Sequence, residues 1–327
     1  MHILITGAGG MIGRKLTARL VKDCELNGRA IEKLTLTDIG VPPWPEPFAG
    51  EVETFAADIG DFATAKRAVE ARPDVIFHLA AVVSGEAELD FEKGMRVNLD
   101  GSRALLDAIR EVGENYHPRF VFTSSIAVFG APFPEAIDDE FHLTPLTSYG
   151  AQKAVVELLL ADYTRRGFVD GVGIRLPTVV VRPGRPNKAA SGFFSSIIRE
   201  PLAGEEAVLP VDDSVVHWHA SPRAAVGFLI HAASLDRDKL GPRINLTMPG
   251  VCCTVAEQIA ALRRVAGDKV AARIRRAPDP LIQRIVAGWP RRFKPERALA
   301  LGFKTEMSFD EIIRAHIEDE LDGKIAA

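Results

Sequence analysis

The stretch Ile3-Leu-Ile-Thr-Gly-Ala-Gly-Gly-Met-Ile-Gly13 decides the fold. An apolar run, Ile3–Thr6, enters a turn rich in glycine, and a helix opens near Gly10. Glycines permit a tight turn and let a ligand approach the backbone. The helix start offers free N–H groups and the positive end of its dipole. Gly7, Gly10, Met11, Ile12 and Gly13 are therefore candidate contacts for a pyrophosphate. The spacing, Gly7-x-x-Gly10-x-x-Gly13, is one residue wider than the Gly-x-Gly-x-x-Gly of many dinucleotide folds.

Outward from this turn, short aliphatic runs alternate with amphipathic stretches. Strands are predicted over Leu34–Asp38, Val52–Ala56, Val75–Leu79, Arg119–Ser124 and Gly171–Leu176, and helices from near Phe62, Gly94 and Ser148. Apolar strands alternating with helices predict a parallel sheet covered on both faces. Right-handed crossovers then give a Rossmann-like, doubly wound α/β fold. Beyond about residue 180, Pro183, Gly184, Pro186, Pro201, Gly204 and Pro210 break the alternation. We expect a dinucleotide-binding domain over 1–180. A smaller α/β substrate region is expected over 181–327, with parts returning to the sheet. Helices are expected over 254–266, with a capping signature, and over Phe309–Leu321.

Asp38 ends the second predicted strand. A carboxylate there accepts hydrogen bonds from ribose hydroxyls and repels a 2′-phosphate, which favours NAD over NADP. Asp58 and Ile59 follow the third strand, and Leu79, Ala80 and Ala81 the fourth. In a parallel sheet these positions rim the ligand crevice. Ser124-Ser125 ends the fifth strand, and Tyr149 and Lys153 lie one helical turn apart on one face. A phenol is a poor base at neutral pH. An ammonium about 4 Å away would stabilise the phenolate by roughly 4 kcal/mol at an effective dielectric of about 20. That makes the phenol about a thousandfold more acidic. Tyr149 would take a hydroxyl proton as hydride leaves the same carbon, and Ser125 would hold the reacting oxygen.

The whole chain carries 47% hydrophobic and 26% charged residues and a formal charge of -4. That balance fits a soluble globular protein and gives no general attraction to nucleic acid or anionic membrane. Cys24, Cys252 and Cys253 match neither a disulfide framework nor a zinc site. Cys252 and Cys253, in an apolar stretch, are expected in the core. No basic region precedes the first apolar run, which is too short for a signal core or a membrane span. A cytoplasmic protein is expected. His217 and His219 alternate without a third ligand at metal-binding spacing, so no metal is expected.

These residues resemble the extended short-chain dehydrogenase/reductase family, whose members include NAD-dependent epimerases and dehydratases. The resemblance rests on Thr6–Gly13, Asp58-Ile59, His78-Leu-Ala-Ala81, Asn98-x-x-Gly101, Thr123-Ser-Ser-Ile-Ala-Val-Phe-Gly130 and Tyr149-Gly-Ala-Gln-Lys153. It implies Ser125, Tyr149 and Lys153 as the catalytic set, Ser125 rather than Ser124 because the pattern counts five residues back from Gly130. It implies NAD contacts at Asp38, Asp58, Ile59, Asn98, Pro177 and Val179, Asn98 in a largely structural role. A homodimer through a four-helix bundle is also implied, and the apolar Val155, Val156, Leu158, Leu159 and Leu160 suit it. Two departures bear on substrate. Ile126 and Ala127 stand where dehydratases carry acidic residues, and Val215 where sugar-nucleotide epimerases carry an arginine.

A narrower resemblance is to the D-erythronate dehydrogenases. It is carried by Arg175–Ala190, Phe193-Phe194, Ile198-Arg-Glu-Pro-Leu202 and Leu246-Thr-Met-Pro-Gly250. It implies oxidation of a small sugar acid to its 2-keto form. Candidate substrate contacts are Ser84, Ser125, Tyr149, Thr178, Arg182 and Asn187, with Lys188 as a further cation. The alternatives are a nucleotide-sugar 4-epimerase holding NAD through its cycle and a non-catalytic dinucleotide sensor.

Overall fold

A computed structural model describes residues 1–184 and 190–326. In chain order the strands are β1 His2–Thr6, β2 Lys33–Asp38, β3 Glu51–Ala56, β4 Val75–His78, β5 Arg119–Ser125, β6 Asp170–Leu176, β7 Thr178–Val179, β8 Ala207–Leu209, β9 Val216–Ala220, β10 Asn245–Thr247, β11 Val251–Thr254 and β12 Ile274–Arg276. A short antiparallel ribbon, Glu25–Leu26 with Arg29–Ala30, precedes β2. The principal helices are α1 Met11–Asp23, α2 Phe62–Glu70, α3 Gly101–Val112, α4 Ser148–Arg165, α5 Gly192–Leu202, α6 Pro222–Ser234, α7 Val255–Ala266 and α8 Phe309–Glu320.

Seven strands form one parallel sheet in the order β10-β6-β5-β4-β1-β2-β3. Its central strands are buried on both faces because helices cover both. Helices α1 and α6 pack together over one face, and α2, α3 and α4 over the other. The order reverses between β1 and β4, which is where a doubly wound sheet opens its crevice. The register aligns the strand ends: Thr6 pairs with Thr37 and His78, His78 with Phe122, and Ser125 with Leu176. These pairings bring the glycine turn, Asp38, Ser125 and Pro177 to one edge.

The helix expected near Gly94 is built in three pieces. A short turn over Phe91–Gly94 widens into a π-helical turn over Met95–Asp100 and continues as α3. A Cβ at Gly101 would come 2.9 Å from Cγ2 of Ile59, so only glycine admits this approach.

A second apolar cluster joins Phe193, Phe194 and Ile198 of α5 to Ile259 and Leu262 of α7 and Ile312 and Ile313 of α8. The helix at 254–266 is present with its capping box, Thr254 and Glu257 bonding reciprocally. Beside it, β9 pairs parallel with β7 and antiparallel with β11. β8 and β12 form a separate parallel pair. Lys15 of α1 pairs with Glu320 of α8, and Arg223 of α6 with Glu318 and Asp319. The expectation for the cysteines needs correcting. Cys253 is buried, but Cys252, its neighbour on β11, faces the other way and is half-buried. No described helix is long and apolar enough to cross a membrane.

Candidate active site

A cavity of about 480 Å³ opens at the aligned strand ends. The glycine turn forms one wall through Gly7, Gly10, Met11, Ile12 and Gly13. Leu79, Ala81 and Ser84 continue it. Ser125, Tyr149 and Lys153 line the same space, as do Pro177, Thr178, Val179 and Arg182.

The turn is shaped by contact. Gly7 has φ +75°, and a Cβ there would sit 2.6 Å from the amide nitrogen of Ala80. A Cβ on Gly13 would sit 2.3 Å from the Gly7 carbonyl oxygen. Ala80 therefore serves through its backbone, behind the cavity wall. Helix α1 starts without a side-chain cap and without an acidic residue in its first turn. Its free N–H groups are left for an anion.

Four other sequence candidates flank the cavity without lining it. Asp38 accepts from the Gly9 N–H at 2.9 Å, which holds its carboxylate beside the turn. Asp58 accepts from the Gly60 N–H at 2.9 Å and pairs with Arg96. Burial opposes that charge, and the Arg96 and Gly60 bonds outweigh it, holding the Asp58 pKa below the usual range. Ile59 is buried against Gly101. Asn98 lies behind the cavity wall. It is 1% exposed, accepts from Val82 N–H at 2.8 Å, and donates to the Val82 carbonyl and to Gln152 Oε1. Its amide is spent bracing the loop after β4.

Behind the crevice, His78 bridges Thr6 Oγ1 at 2.7 Å and Ser102 Oγ at 2.9 Å. Burial pushes its pKa down to about 3, so the ring is neutral.

The catalytic candidates stand at the end of β5 and the start of α4, where Thr147 caps the helix through the Gly150 N–H. Ser124 Oγ donates to the buried Glu157 carboxylate, while Ser125 Oγ accepts from Ala127 N–H at the cavity edge. Ser124 is thus committed to the core. Lys153 is 2% exposed. Its Nζ donates to the Thr123 carbonyl at 2.9 Å and lies 5.7 Å from the Tyr149 ring centroid.

Burial acts on both groups. Burial raises the Tyr149 pKa to about 12, opposed by a hydrogen bond with Ser125 and by the charge of Arg182. Burial pushes Lys153 down to about 7, opposed by Glu157. The spacing of Tyr149 and Lys153 is right, but desolvation dominates both groups in the protein alone. The charge of Arg182 favours the phenolate.

Arg182 follows β7. Its Nε donates to the Val179 carbonyl and one terminal nitrogen to Ser191 Oγ, both at 3.0 Å. Its backbone N–H donates to Ser195 Oγ at 3.0 Å. Among the described residues no carboxylate pairs with it. Burial lowers its pKa, Tyr149 opposing and Arg199 assisting. Asn187 and Lys188 lie outside the described residues.

Sequence reasoning missed Arg199, Ser191, Ser195 and Trp289, which also line the cavity. They converge through tertiary packing, and although Arg199 lies in the quoted Ile198–Leu202 stretch, nothing there marked it as a cavity residue. His217 lines it too, and its Nε2 meets Thr178 Oγ1 at 2.6 Å. The alternating histidines seen in the sequence are thus buried aromatic residues. Among the described residues no group of three or more His, Cys, Asp or Glu is placed to hold a metal.

The NAD dependent epimerase/dehydratase family matches residues 3–220. A D-erythronate dehydrogenase of Cupriavidus necator is 49% identical over 98% of both chains. A D-erythronate dehydrogenase of Haemophilus influenzae is 40% identical over 98% of this chain and 100% of its own. The crystal structure of a nucleoside-diphosphate-sugar epimerase from Agrobacterium tumefaciens superposes with a TM-score of 0.98 at 63% identity, over 100% of this chain and 96% of that one. The uncapped helix start, the glycine cradle and Asp38 fit the pyrophosphate and ribose of NAD. The chain belongs to the NAD dependent epimerase/dehydratase family, the extended short-chain dehydrogenase/reductases, and is an NAD-dependent oxidoreductase.

Proposed function

We propose that the protein oxidises a small sugar acid of the D-erythronate type to its 2-keto acid, using Ser125, Tyr149 and Lys153. The observation that carries the reading is a single cavity lined by the glycine turn, these three residues and Arg182, a cation with no acidic partner among the described residues. A desolvated guanidinium without a counter-ion is costly unless a ligand supplies one. A carboxylate does so, through paired charge-assisted hydrogen bonds. The two D-erythronate dehydrogenases similar over nearly the whole chain support the same substrate class.

When bound, NAD supplies the hydride acceptor. The protein's own residues do the rest. Ser125 Oγ donates to the reacting hydroxyl oxygen and fixes it beneath the phenol. Tyr149 Oη, as phenolate, takes the hydroxyl proton as the C–H hydride departs. Arg182 favours the phenolate from one side of the cavity, and Lys153, held by the Thr123 carbonyl, adds a second cation when protonated. Asp38, Asp58 and Ile59 would hold the adenosine half, and Pro177 and Val179 the nicotinamide. Ser84 and Thr178 would contact substrate hydroxyls.

The test is NADH formation, followed by absorbance, across three- to six-carbon sugar acids with excess NAD. Sustained NADH release with a four-carbon acid is expected. Tyr149→Phe should lose turnover by at least about 10²-fold while keeping NAD affinity. Retained turnover in that variant would remove Tyr149 as the base.

A nucleotide-sugar epimerase is the second reading, favoured by the function named for the Agrobacterium structure. Val215, half-buried against the second apolar cluster, offers no charge to a diphosphate. Conversion of a nucleotide sugar without net NADH would establish that reading. A dinucleotide sensor would bind NAD and turn over nothing.

We further propose that residues 1–180 bind NAD, that 181–327 mainly shape the substrate side, and that the protein is a cytoplasmic homodimer. Val155 and Leu158 of α4 and Phe91 beside it stay exposed, as a self-association face requires.

A further inference from the structure

We propose that Trp289 closes the tail end of the substrate cavity and sets the length of the acid accepted. This rests on the reading that the substrate is a small acid anchored at Arg182. Its carboxylate and reacting hydroxyl then engage Arg182 and Tyr149. The remaining carbons must lie against what is left of the wall, which includes Thr178, His217 and Trp289.

That part of the wall is rigid. Trp289 follows a short helix, Pro280–Ala287, whose first turn is capped by Asp279. The Trp289 backbone N–H donates to the Val286 carbonyl at 3.0 Å. Its indole leans on His217, with ring centroids 5.4 Å apart. His217 in turn stacks on Phe194 at 5.1 Å with an interplanar angle of 2°. Three rings therefore back one another, with Phe194 fully buried in the second apolar cluster. A longer carbon chain would have to displace that stack, and close-packed side chains yield only at a cost.

The wall also carries polarity suited to a hydroxyl-bearing tail. Trp289 lines the cavity, and its indole N–H has no hydrogen-bond partner among the described residues. The buried indole of Trp218, by contrast, donates to the Met248 carbonyl. His217 Nε2 is engaged by Thr178 Oγ1, while its buried Nδ1 makes no well-formed hydrogen bond among the described residues. A terminal hydroxyl can accept from the indole N–H. An alkyl tail seated against the indole would cover that donor without pairing it, which is how a polar subsite rejects a deoxy analogue.

Trp289→Ala and Trp289→Leu remove the stop to different degrees, and Trp289→Phe keeps bulk but deletes the N–H. The measurement is kcat/KM for four-, five- and six-carbon sugar acids, with NAD affinity followed by fluorescence. Each carbon excluded by a tight wall is worth about 10–200-fold in kcat/KM. Trp289→Ala should raise the five- over four-carbon ratio by at least about tenfold, Trp289→Leu by less, with NAD affinity unchanged. Trp289→Phe should keep the length limit and lose several-fold on the hydroxylated four-carbon acid, but not on its 4-deoxy analogue. A ratio unmoved in folded, NAD-binding Ala and Leu variants overturns the proposal. So does a Phe variant that treats the hydroxy and deoxy acids as the wild type does. A wild type that oxidises no sugar acid would overturn the functional reading itself, before any variant is compared.

Discussion

Replacing Arg182 by methionine separates substrate recognition from fold stability. The side chain donates to the Val179 carbonyl and Ser191 Oγ, and no described carboxylate balances its charge. A substrate carboxylate would receive two charge-assisted bonds, each worth about 1.5–3 kcal/mol. Their loss, about 3–6 kcal/mol, corresponds to a rise of about 10²–10⁴-fold in KM for the acid. The primary amide of the same acid carries no charge, and its KM should stay within about threefold. Stability should hardly move. Two bonds to neutral acceptors, about 0.5–1.5 kcal/mol each, are lost while an uncompensated, partly desolvated cation is relieved. At about 0.7 kcal/mol per kelvin for a chain of 327 residues, Tm shifts by less than about 2 °C. A fall in kcat common to acid and amide would report Tyr149 losing its neighbouring cation. Steady-state kinetics on both substrates and a thermal melt make the assay. Equal KM losses for acid and amide would refute the carboxylate assignment.

The buried pair at Arg175 should behave in the opposite way. Arg175 holds Glu157, whose side chain is 1% exposed, through Nε and a terminal nitrogen at 2.7–3.1 Å. Arg175→Met strands that carboxylate and should cost about 3–5 kcal/mol, or about 4–7 °C in Tm, most of it recovered by adding Glu157→Leu. A single variant that melts like the wild type would contradict this. Acid sensitivity follows from the buried histidines. Burial lowers His78 to about 3, His217 and His316 to about 4, and His219 well below its ordinary value. Between those values and about 6.5 the unfolded chain binds more protons, so stability rises with pH across that window and is lost as pH falls through it. Denaturant midpoints at pH 7.5 and 5 should differ by roughly 1–2 kcal/mol per histidine, and equal midpoints would dispose of the argument.

The strand, turn and helix at residues 3–13 were legible because each is a local decision: an apolar run, glycines where backbone must approach backbone, and an uncapped helix start. Asp38, Ser125 and Tyr149 could be placed because strand ends in a parallel sheet share one edge. Register and burial are not local. Nothing near Trp289 announces a cavity whose other walls include Ser84 and Tyr149, 205 and 140 residues away along the chain. The Tyr149 and Lys153 spacing was readable, but their desolvation depends on the Thr123 carbonyl, Glu157 and Phe122, which only packing brings near. Asn98 shows the same limit. Its motif was visible, yet its commitment to Val82 and Gln152 is a matter of three-dimensional neighbours.

The strand Asn245–Thr247 completes the large sheet beside β6, and α6 lies on α1. The later half of the polypeptide thus supplies an outer rung and part of the roof of the earlier half. Severing the chain near residue 180 would leave β6 with a bare row of amides and carbonyls and strip apolar cover from α1, a state prone to stick to copies of itself. The two halves share one sheet, so a change in the later half is tolerated only while that common rung stays in place.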